Sequence, residues 1–232
     1  VLVPVVHTAV RAATVSRRRA KEIPVHREKE LYLHPLPVRI WHWTNAVSFL
    51  VLIFTAVQLR YYEITSLTKF KSAVTVHNIF GMILILGYVL WLCYYLFTGK
   101  IKIYLPSLNL KKYLSGCLSQ AMYYGYGMFR GDKNPHHSTP DNKFNPLQQT
   151  AYFFIMIFLM PVQIITGVLL LDVKRFSTVI SMLGGLTVVD LVHVIVSFAF
   201  TAFLFVHIYL TTLGATPMQH IKAMVTGYEK EE

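Results

Sequence analysis

The sequence predicts an all-α integral membrane protein, a bundle of four transmembrane helices. Hydrophobic residues make up 54% of the 232 residues and charged residues only 14%, and the mean hydropathy is +0.48. Four apolar runs are each long enough to cross about 30 Å of hydrocarbon, which takes roughly 20 residues. Because backbone polar groups in lipid must be bonded within their own segment, each run is predicted to be a helix.

The four runs extend over Pro37–Leu59, Ala73–Phe97, Pro146–Leu171 and Leu186–Leu213, and we call them spans one to four. Together they form one membrane domain over residues 35–228, with no room for a separate catalytic domain. Residues 1–34 precede this domain as a basic segment, and residues 229–232 follow it as an acidic tail.

Residues 1–10 (VLVPVVHTAV) are apolar and precede a basic cluster at Arg11 and Arg17–Arg19. Two interpretations stay open for this segment. It is either the cytoplasmic end of an additional N-terminal transmembrane helix, with the cluster as its stop, or a short anchor in the membrane interface. In both cases His7 is interpreted as an interface residue rather than a ligand.

The basic residues alternate between the two sides of the spans. Residues 1–41 contain eight Lys or Arg and the loop 99–145 contains seven, whereas the two opposite loops contain three and two. The positive-inside rule therefore predicts that the N-terminal segment, the loop 99–145 and the C-terminus face the cytoplasm, in a bacterial or archaeal inner membrane. This bias and contact with anionic lipid account for the net charge of +11 without a nucleic acid partner.

The loop 99–145 has two parts of different character. The first, IKIYLPSLNLKKYLSGCLSQAMYYGYG, mixes apolar residues and lysines at intervals typical of an amphipathic helix lying on the membrane. The second, RGDKNPHHSTPDNK, is polar and rich in turn-forming residues. His136 and His137 fall in the second part and are interpreted as a solvated pair, with a metal site as the alternative.

Four histidines lie inside the apolar spans, where ionisable side chains are costly and usually functional. Span one starts in the cytoplasm, which places His42 on the cytoplasmic side, and span two starts outside, which places His77 on the outer side. Span four also starts outside, so His193 is outer and His207 cytoplasmic. These last two are fourteen residues apart, about 21 Å along a helix, and leave nearly the same face. Depth therefore pairs His77 with His193 and His42 with His207.

Paired histidines at two depths predict two stacked b-type haems inside the bundle. Two neutral imidazoles occupy both axial positions of an iron and leave no site for oxygen, so such a haem only passes electrons. A single histidine in a span would instead be interpreted as a hydrogen bonder between helices. Cys93 and Cys117 form no CxxC pair and no CxxCH is present in the sequence, which excludes covalent c-type attachment within it. Both cysteines are interpreted as inert buried thiols, with a redox role as the alternative.

Four further residues are candidates for contacts with these haems. Gly81 and Ser197 each follow a predicted ligand by one helical turn and would clear space for a porphyrin. Gly167 in span three would do the same or serve plain helix packing. Arg39 lies three residues before the first ligand and suits a haem propionate through its guanidinium; a lipid-facing or charge-bias role is the alternative.

Five stretches carry a family resemblance: PVRIWHWTNAV around the first ligand, HNIFGMILI from the second, KFNPLQQ, ITGVLL, and the last two ligands with HIYL. In this order and spacing, over residues 35–228, the sequence resembles one family of di-haem cytochrome b subunits. The family includes the gamma subunit of respiratory formate dehydrogenase, the b-type cytochrome of nickel-iron hydrogenase and the cytochrome b subunit of thiosulfate reductase.

The resemblance implies two haem b groups and a site for menaquinone or another quinone near the cytoplasmic haem. The family's quinone-site Asn matches Asn145 and its adjacent Gln matches Gln148, whereas a Gly of that motif is replaced by Leu147. Asn145 also precedes Pro146, a favoured first helical residue, so helix capping alone and capping with quinone contact both stay open. The implied partners are an iron–sulfur or multihaem cytochrome subunit on the outer face and a catalytic subunit.

The sequence thus predicts a di-haem b-type cytochrome subunit of a quinone-linked respiratory oxidoreductase complex. It would transfer electrons across the bilayer between a quinone near the cytoplasmic side and an extracytoplasmic redox partner. A haem-free membrane anchor is one alternative, and the complete pairing of ligands disfavours it. A proton or solute transporter is another, disfavoured because the span interiors contain no acidic residue; Asp190 lies near a span end.

Overall fold

The structure is a computed structural model that describes residues 30–65, 67–136, 139, 142–214 and 216–230. The expectations for residues 1–29, including the additional helix or anchor and His7, lie outside the described residues. The same holds for His137.

Four long apolar helices dominate the fold, as the sequence predicts. In chain order the main helices are α1 (Leu36–Arg60), α2 (Phe70–Phe97), α3 (Leu110–Met122), α4 (Pro146–Leu171), α5 (Leu186–Thr211) and α6 (Gln219–Thr226). Of these, α1, α2, α4 and α5 are long and apolar enough to cross a membrane. The predicted all-α membrane class is confirmed, and the ends of the four helices differ from the predicted ends by at most three residues.

Shorter helical elements connect these helices. They are the helical turns Tyr62–Thr65, Met128–Arg130 and Ser177–Met182, the 3-10 turn Lys100–Tyr104 and the π-helical turn Tyr123–Gly127. Two strands, β1 (Glu30–Tyr32) and β2 (Tyr228–Lys230), lie before α1 and after α6. The chain divides into two compact units. The central unit contains Ile40–Lys100 and Phe154–Phe203, and the terminal unit contains Ile101–Phe153 together with the chain up to Arg39 and from Leu204 onward.

Within the central unit, α1 and α2 approach closely at Gly87. The indole Nε1 of Trp41 donates to the Gly87 carbonyl oxygen at 2.9 Å. A Cβ at Gly87 would lie 3.3 Å from Nδ2 of Asn45, and this amide donates to the Trp41 carbonyl oxygen at 2.7 Å. Small residues let the backbones of membrane helices approach, and polar side chains then bond across the contact. The contact holds together the helices that carry the first two predicted ligands.

A π-helical segment, Phe154–Leu159, interrupts α4 just before Pro161. After this segment the helix bonding changes from five residues back to four, because Met160–Leu171 is α-helical, and Pro161 has no amide hydrogen to donate. The hydroxyl of Tyr88 on α2 donates to the Met156 carbonyl oxygen, within the π-helical segment, at 3.0 Å. Met156 is only 6% exposed, so Tyr88 gives a hydrogen bond to a buried carbonyl where the regular bonding of α4 is interrupted.

In the terminal unit, the amphipathic helix expected in the loop is present as α3. Its N-cap is Asn109, whose side-chain oxygen accepts from the Lys112 amide at 3.1 Å. The Tyr113 hydroxyl donates to the Pro146 carbonyl oxygen at 3.1 Å, and a Cβ at Gly116 would lie 3.0 Å from Cγ of Pro146. The glycine therefore allows α3 to lie directly against the beginning of α4.

The terminal unit also contains two short strands that the sequence did not predict. β1 and β2 pair in antiparallel fashion with Tyr32 opposite Tyr228, so the predicted acidic tail at 229–232 begins inside a strand. The residue that follows α6 is Gly227, which has a φ of +93°. A Cβ there would lie 2.7 Å from Cε2 of Tyr32 and 2.9 Å from the carbonyl oxygen of His34. Both the backbone conformation and the close approach require glycine at this position.

The carboxylate of Glu229 lies in a small cluster of basic groups of the terminal unit. Its Oε1 is 2.6 Å from Nδ1 of His220. Burial acts to raise the pKa of Glu229, but the hydrogen bond from His220 and the charges of His220, His34 and Lys143 together lower this pKa below its ordinary value. Glu229 is therefore ionised in the folded protein at neutral pH.

Candidate functional site

His77, near the start of α2, is held by a threonine of α1. Its Nδ1 lies 2.9 Å from Oγ1 of Thr55, and this oxygen lies 2.8 Å from the carbonyl oxygen of Val51, four residues earlier on α1. A hydroxyl has one hydrogen, and Thr55 donates it to Val51, as threonines in helices commonly do. Thr55 therefore accepts from Nδ1–H, and the hydrogen-bond network assigns the lone pair of the imidazole to Nε2.

His193, near the start of α5, is held in the same way by a threonine of α4. Its Nδ1 lies 2.9 Å from Oγ1 of Thr166, which donates to the Val162 carbonyl oxygen at 2.8 Å. Nε2 then carries the lone pair, and it accepts from the side-chain amide of Gln163 at 3.2 Å. Both hydrogen bonds to the ring select the same tautomer.

Both histidines belong to the central unit and both are half-buried. Thr55 is 4% exposed and Thr166 is 7% exposed, so neither hydroxyl is open to water. A metal-binding imidazole needs one nitrogen free for the metal and the other protonated and hydrogen-bonded. Each ring therefore has the tautomer that suits ligation of a haem iron through Nε2.

Binding of a metal at Nε2 of His193 requires the Gln163 amide to turn away from that nitrogen. The turn requires a change in the earlier side-chain torsions, because rotation about the last one only exchanges the amide nitrogen and oxygen. The Gln163 Oε1 atom is buried and accepts no hydrogen bond from the residues that the structure describes. The movement therefore breaks one side-chain hydrogen bond, the one to the imidazole.

The predicted space-making residues have three different surroundings. At Gly167, a Cβ would lie 3.2 Å from Cε1 of His193, so this glycine makes room for the imidazole itself. At Gly81, a Cβ would meet no described atom within 4 Å, which leaves open space one turn from His77. Ser197 is half-buried and donates its hydroxyl to the carbonyl oxygen three residues earlier at 2.7 Å. Contact of these residues with a porphyrin stays a prediction.

The other two predicted ligands lie at opposite ends of their helices. His42 is near the start of α1 and His207 is near the end of α5, and both are half-buried. His42 lies edge-on to Trp43, with ring centroids 5.2 Å apart. His42 belongs to the central unit and His207 to the terminal unit. Their pairing stays a prediction from span direction and depth.

Arg39, the predicted propionate partner, is bonded to α6. Its Nη1 donates to the carbonyl oxygen of Val225, in the last turn of that helix. Its Nε is buried and makes no hydrogen bond within the described part of the chain. One bond thus already orients the guanidinium, and a propionate contact stays a prediction.

Asn145 and Gln148 form a reciprocal cap at the start of α4. The Asn145 side-chain oxygen accepts from the Gln148 amide at 2.9 Å, and the Gln148 side-chain oxygen accepts from the Asn145 amide at 3.1 Å. With Pro146 as the first helical residue, this arrangement is a capping box. Asn145 also donates from Nδ2 to the Tyr124 hydroxyl at 2.9 Å and is 3% exposed. The cap does not use the side-chain NH2 group of Gln148, and a quinone contact stays a prediction.

The cysteines and His136 show no metal-binding arrangement. Both thiols are free, Cys117 is half-buried and Cys93 is exposed. The expectation of a buried thiol is wrong for Cys93, because its side of α2 is not covered. His136 donates its backbone amide to Oδ1 of Asn134 at 3.1 Å. The described residues contain no group of three or more His, Cys, Asp or Glu side chains placed to hold a metal ion.

The sequence interpretation missed Thr55, Thr166 and Gln163. The available signal was a polar side chain inside an apolar span. Thr55 lies thirteen residues after the first predicted ligand, about 20 Å further along span one, and so near the depth of the outer pair. Thr166 directly precedes Gly167 in the ITGVLL stretch, and Gln163 lies one turn before it.

Comparison with known proteins gives two relevant matches. Residues 33–227 match a family model described as prokaryotic cytochrome b561. The chain is also similar to a protein of Escherichia coli (strain K12) named "Putative cytochrome YdhU". The two are 32% identical over 219 residues, which are 94% of this chain and 82% of the relative. Both matches are with cytochromes, in line with the motif resemblance.

Proposed function

Because the chain belongs to the prokaryotic cytochrome b561 family, membrane electron-transfer proteins that bind haem b, we propose that it carries electrons across the bilayer through two haems. The observation that best supports this is the matched histidine pair of the central unit. Each ring has Nδ1 bonded to a buried threonine and Nε2 left as the basic nitrogen. Haem b supplies reversible one-electron chemistry and, with two axial imidazoles, has no open position for oxygen.

In this proposal each haem takes its two ligands from two different helices. His77 and His193 would hold the outer haem, and His42 and His207 would hold the cytoplasmic one. α5 contributes to both, because His193 and His207 are separated by about 21 Å of helix and leave nearly the same face. One helix would thus supply a ligand at each of two depths.

The charge bias supports an orientation for this electron path. The loop with α3 and the segments before α1 and after α5 would face the cytoplasm of a bacterium or archaeon, because they contain most of the Lys and Arg residues. His77 and His193 would then lie on the outer side of the cytoplasmic membrane. We place the redox partner there, an iron–sulfur or multihaem cytochrome subunit, with the catalytic subunit of a respiratory complex beyond it.

We place the quinone at the start of α4, near the cytoplasmic haem. The capping box uses both side-chain oxygens of Asn145 and Gln148, and the Asn145 amide group is bonded to Tyr124. The Gln148 NH2 group is then the donor for a quinone carbonyl, and its direction is fixed because Oε1 is held by the cap. Phe144 and Tyr152, with ring centroids 4.7 Å apart, offer an aromatic wall for the quinone ring.

The haem proposal is tested by counting haems in ligand variants. A pyridine haemochrome assay of the intact wild-type protein is expected to give two haem b per chain, and the His77→Ala and His193→Ala variants are expected to retain one. His42→Ala and His207→Ala should also retain one, but with the spectrum of the other haem. His220→Ala is the matched control, because this histidine lies on α6 outside the spans, and it should retain two. Fewer than two haems in the wild type would contradict the di-haem proposal, and none would favour a haem-free anchor.

The quinone proposal is tested by separating the donor from the cap. Gln148→Glu keeps an oxygen that accepts from the Asn145 amide, and glutamate is favoured at this position of a capping box, but it removes the NH2 donor. Turnover with a menaquinone analogue is expected to fall, with about 1 kcal/mol of binding lost, while both haems and the unfolding temperature stay as in wild type.

A matched control for this test is Asn145→Asp, which keeps the capping oxygen and replaces the amide that donates to Tyr124 by a carboxylate oxygen, to which the tyrosine hydroxyl can donate. It is expected to alter turnover less than Gln148→Glu. Unchanged turnover in Gln148→Glu would show that the quinone binds elsewhere and that Leu147 marks a departure from the family motif.

A further inference from the structure

We propose that Thr55 and Thr166 are positioning residues of the outer haem, which hold the two axial imidazoles in the Nδ1–H tautomer and set the redox equilibrium of the iron between them. The inference rests on the proposed function, because it assumes that His77 and His193 are axial ligands. It concerns residues that act through the ligands and do not themselves touch the metal.

The geometry is the same on the two sides. Each Oγ1 lies 2.9 Å from an imidazole Nδ1, and each lies 2.8 Å from the carbonyl oxygen four residues earlier in its own helix. The two threonines belong to different helices, α1 and α4, and hold histidines of two further helices, α2 and α5. The two arrangements involve four separate helices, so one local sequence pattern does not explain both of them.

Threonine is well suited to this task for a steric and a chemical reason. Its branched Cβ restricts the first side-chain torsion in a helix, and the bond to the preceding turn fixes the hydroxyl further. The single hydroxyl hydrogen is used within the helix, so Oγ1 faces the ring as an acceptor only. The helix backbone thus determines both the orientation of the ring and the nitrogen that keeps its hydrogen.

An acceptor at Nδ1–H raises the basicity of the ligand at Nε2. A more basic imidazole stabilises the ferric state more than the ferrous state, because the ferric iron carries the higher charge. The two threonines should therefore lower the reduction potential of the outer haem. A hydroxyl is neutral, so the effect is moderate compared with that of a carboxylate at the same position.

The test is a redox titration of Thr55→Val and Thr166→Val, which keep the branched shape and remove the acceptor. Each is expected to retain two haems and to favour reduction of the outer haem about fivefold at a fixed ambient potential, the effect of one neutral hydrogen bond. At 59 mV per tenfold for one electron, this is a rise of about 40 mV. The g-values of the ferric outer haem should shift in the electron paramagnetic resonance spectrum, and the Thr→Ser variants should restore both readouts.

Thr75→Val is the matched control. Thr75 lies on α2 two residues before His77, is exposed, and donates to the Lys71 carbonyl oxygen at 2.9 Å, four residues earlier. It thus has the same bond within its helix but does not bond a histidine ring. Its substitution is expected to leave the potential and the spectrum of the outer haem unchanged.

A second measurement needs no variant. In the reduced, diamagnetic wild-type protein labelled with 15N-histidine, the Nδ1 hydrogens of His77 and His193 are expected to exchange slowly with solvent, because buried hydroxyls hold them. Rapid exchange of both would overturn the inference. Wild-type potentials and g-values in Val variants that keep two haems would also overturn it. A wild type without the outer haem would instead refute the proposed function, and the haem count separates the two failures.

Discussion

Replacing Tyr88 by Phe is expected to destabilise the protein through a single carbonyl group. The substitution keeps the ring, whose centroid lies 5.6 Å from that of Trp91, and removes the hydroxyl that donates to the Met156 carbonyl oxygen at 3.0 Å. This carbonyl lies in the π-helical segment, where the regular bonding of α4 is interrupted. The variant would therefore bury an acceptor without a donor inside a membrane helix.

The size of the destabilisation follows from the free-energy cost of a buried acceptor without a hydrogen bond. Such a group costs about 1–3 kcal/mol in proteins generally, whereas hydrogen bonds between membrane helices contribute about 0.6 kcal/mol on average and about 1.7 at most. Met156 is buried and lies in the interrupted part of α4, which favours the upper part of the membrane range. We expect a loss of about 1–2 kcal/mol in the free energy of unfolding.

The assay is denaturant unfolding of the wild type and of Tyr88→Phe in detergent micelles. Tyr94→Phe is the control, because Tyr94 lies on the same helix and its hydroxyl makes no hydrogen bond with the described residues. A cost of Tyr88→Phe no larger than that of Tyr94→Phe would refute the reasoning, since the hydroxyl would then not stabilise the buried carbonyl.

Three further predictions address other contacts. Gly87→Leu should force α1 from α2 at Asn45 and lower the free energy of unfolding by about 1–3 kcal/mol in the same titration; an unchanged value would contradict the close contact. Because the pKa of Glu229 is lowered in the folded protein, the ionised carboxylate stabilises the fold. This contribution is fully present above the ordinary pKa of 4.5 and is lost as the pH falls through the lowered pKa. Glu229→Gln should therefore flatten the acid side of a plot of melting temperature against pH. If the variant keeps the wild-type profile, the pairing with His220 does not contribute. A Ser107→Cys variant in a cysteine-free background should resist an impermeant maleimide in intact cells and react in inverted vesicles; the reverse would invert the orientation.

The features that the sequence predicted well are those fixed by neighbouring residues. A span is recognised from its own composition, so α1, α2, α4 and α5 end within a few residues of the predicted limits. The cap at Asn145 follows from the adjacent Pro146 and from Gln148 three residues later, a pattern contained in four positions. The position of a histidine along its helix likewise depends only on its place in its own span.

The features that the sequence did not predict depend on which helices meet and how each is rotated. In the sequence, Thr55 is one of several polar residues in its span. Only the structure shows that His77 of α2 lies within hydrogen-bond distance of it. The π-helical segment of α4 is another case, since Pro161 alone is compatible with a kink, a break or an inserted turn. The strands near both ends of the described chain were missed because three-residue pairs depend on partners almost two hundred residues apart, and neither has a pattern of its own.

The pairing of those strands has a consequence for chain connectivity. Glu30 lies opposite Lys230, so the two ends of the described chain are antiparallel neighbours about 5 Å apart, a gap that a two-residue turn can join. A circular permutant of residues 30–230 with new ends in the polar segment near Thr139 would keep all six main helices and both strands. If such a permutant folds and binds haem, the fold does not require that translation begin with α1.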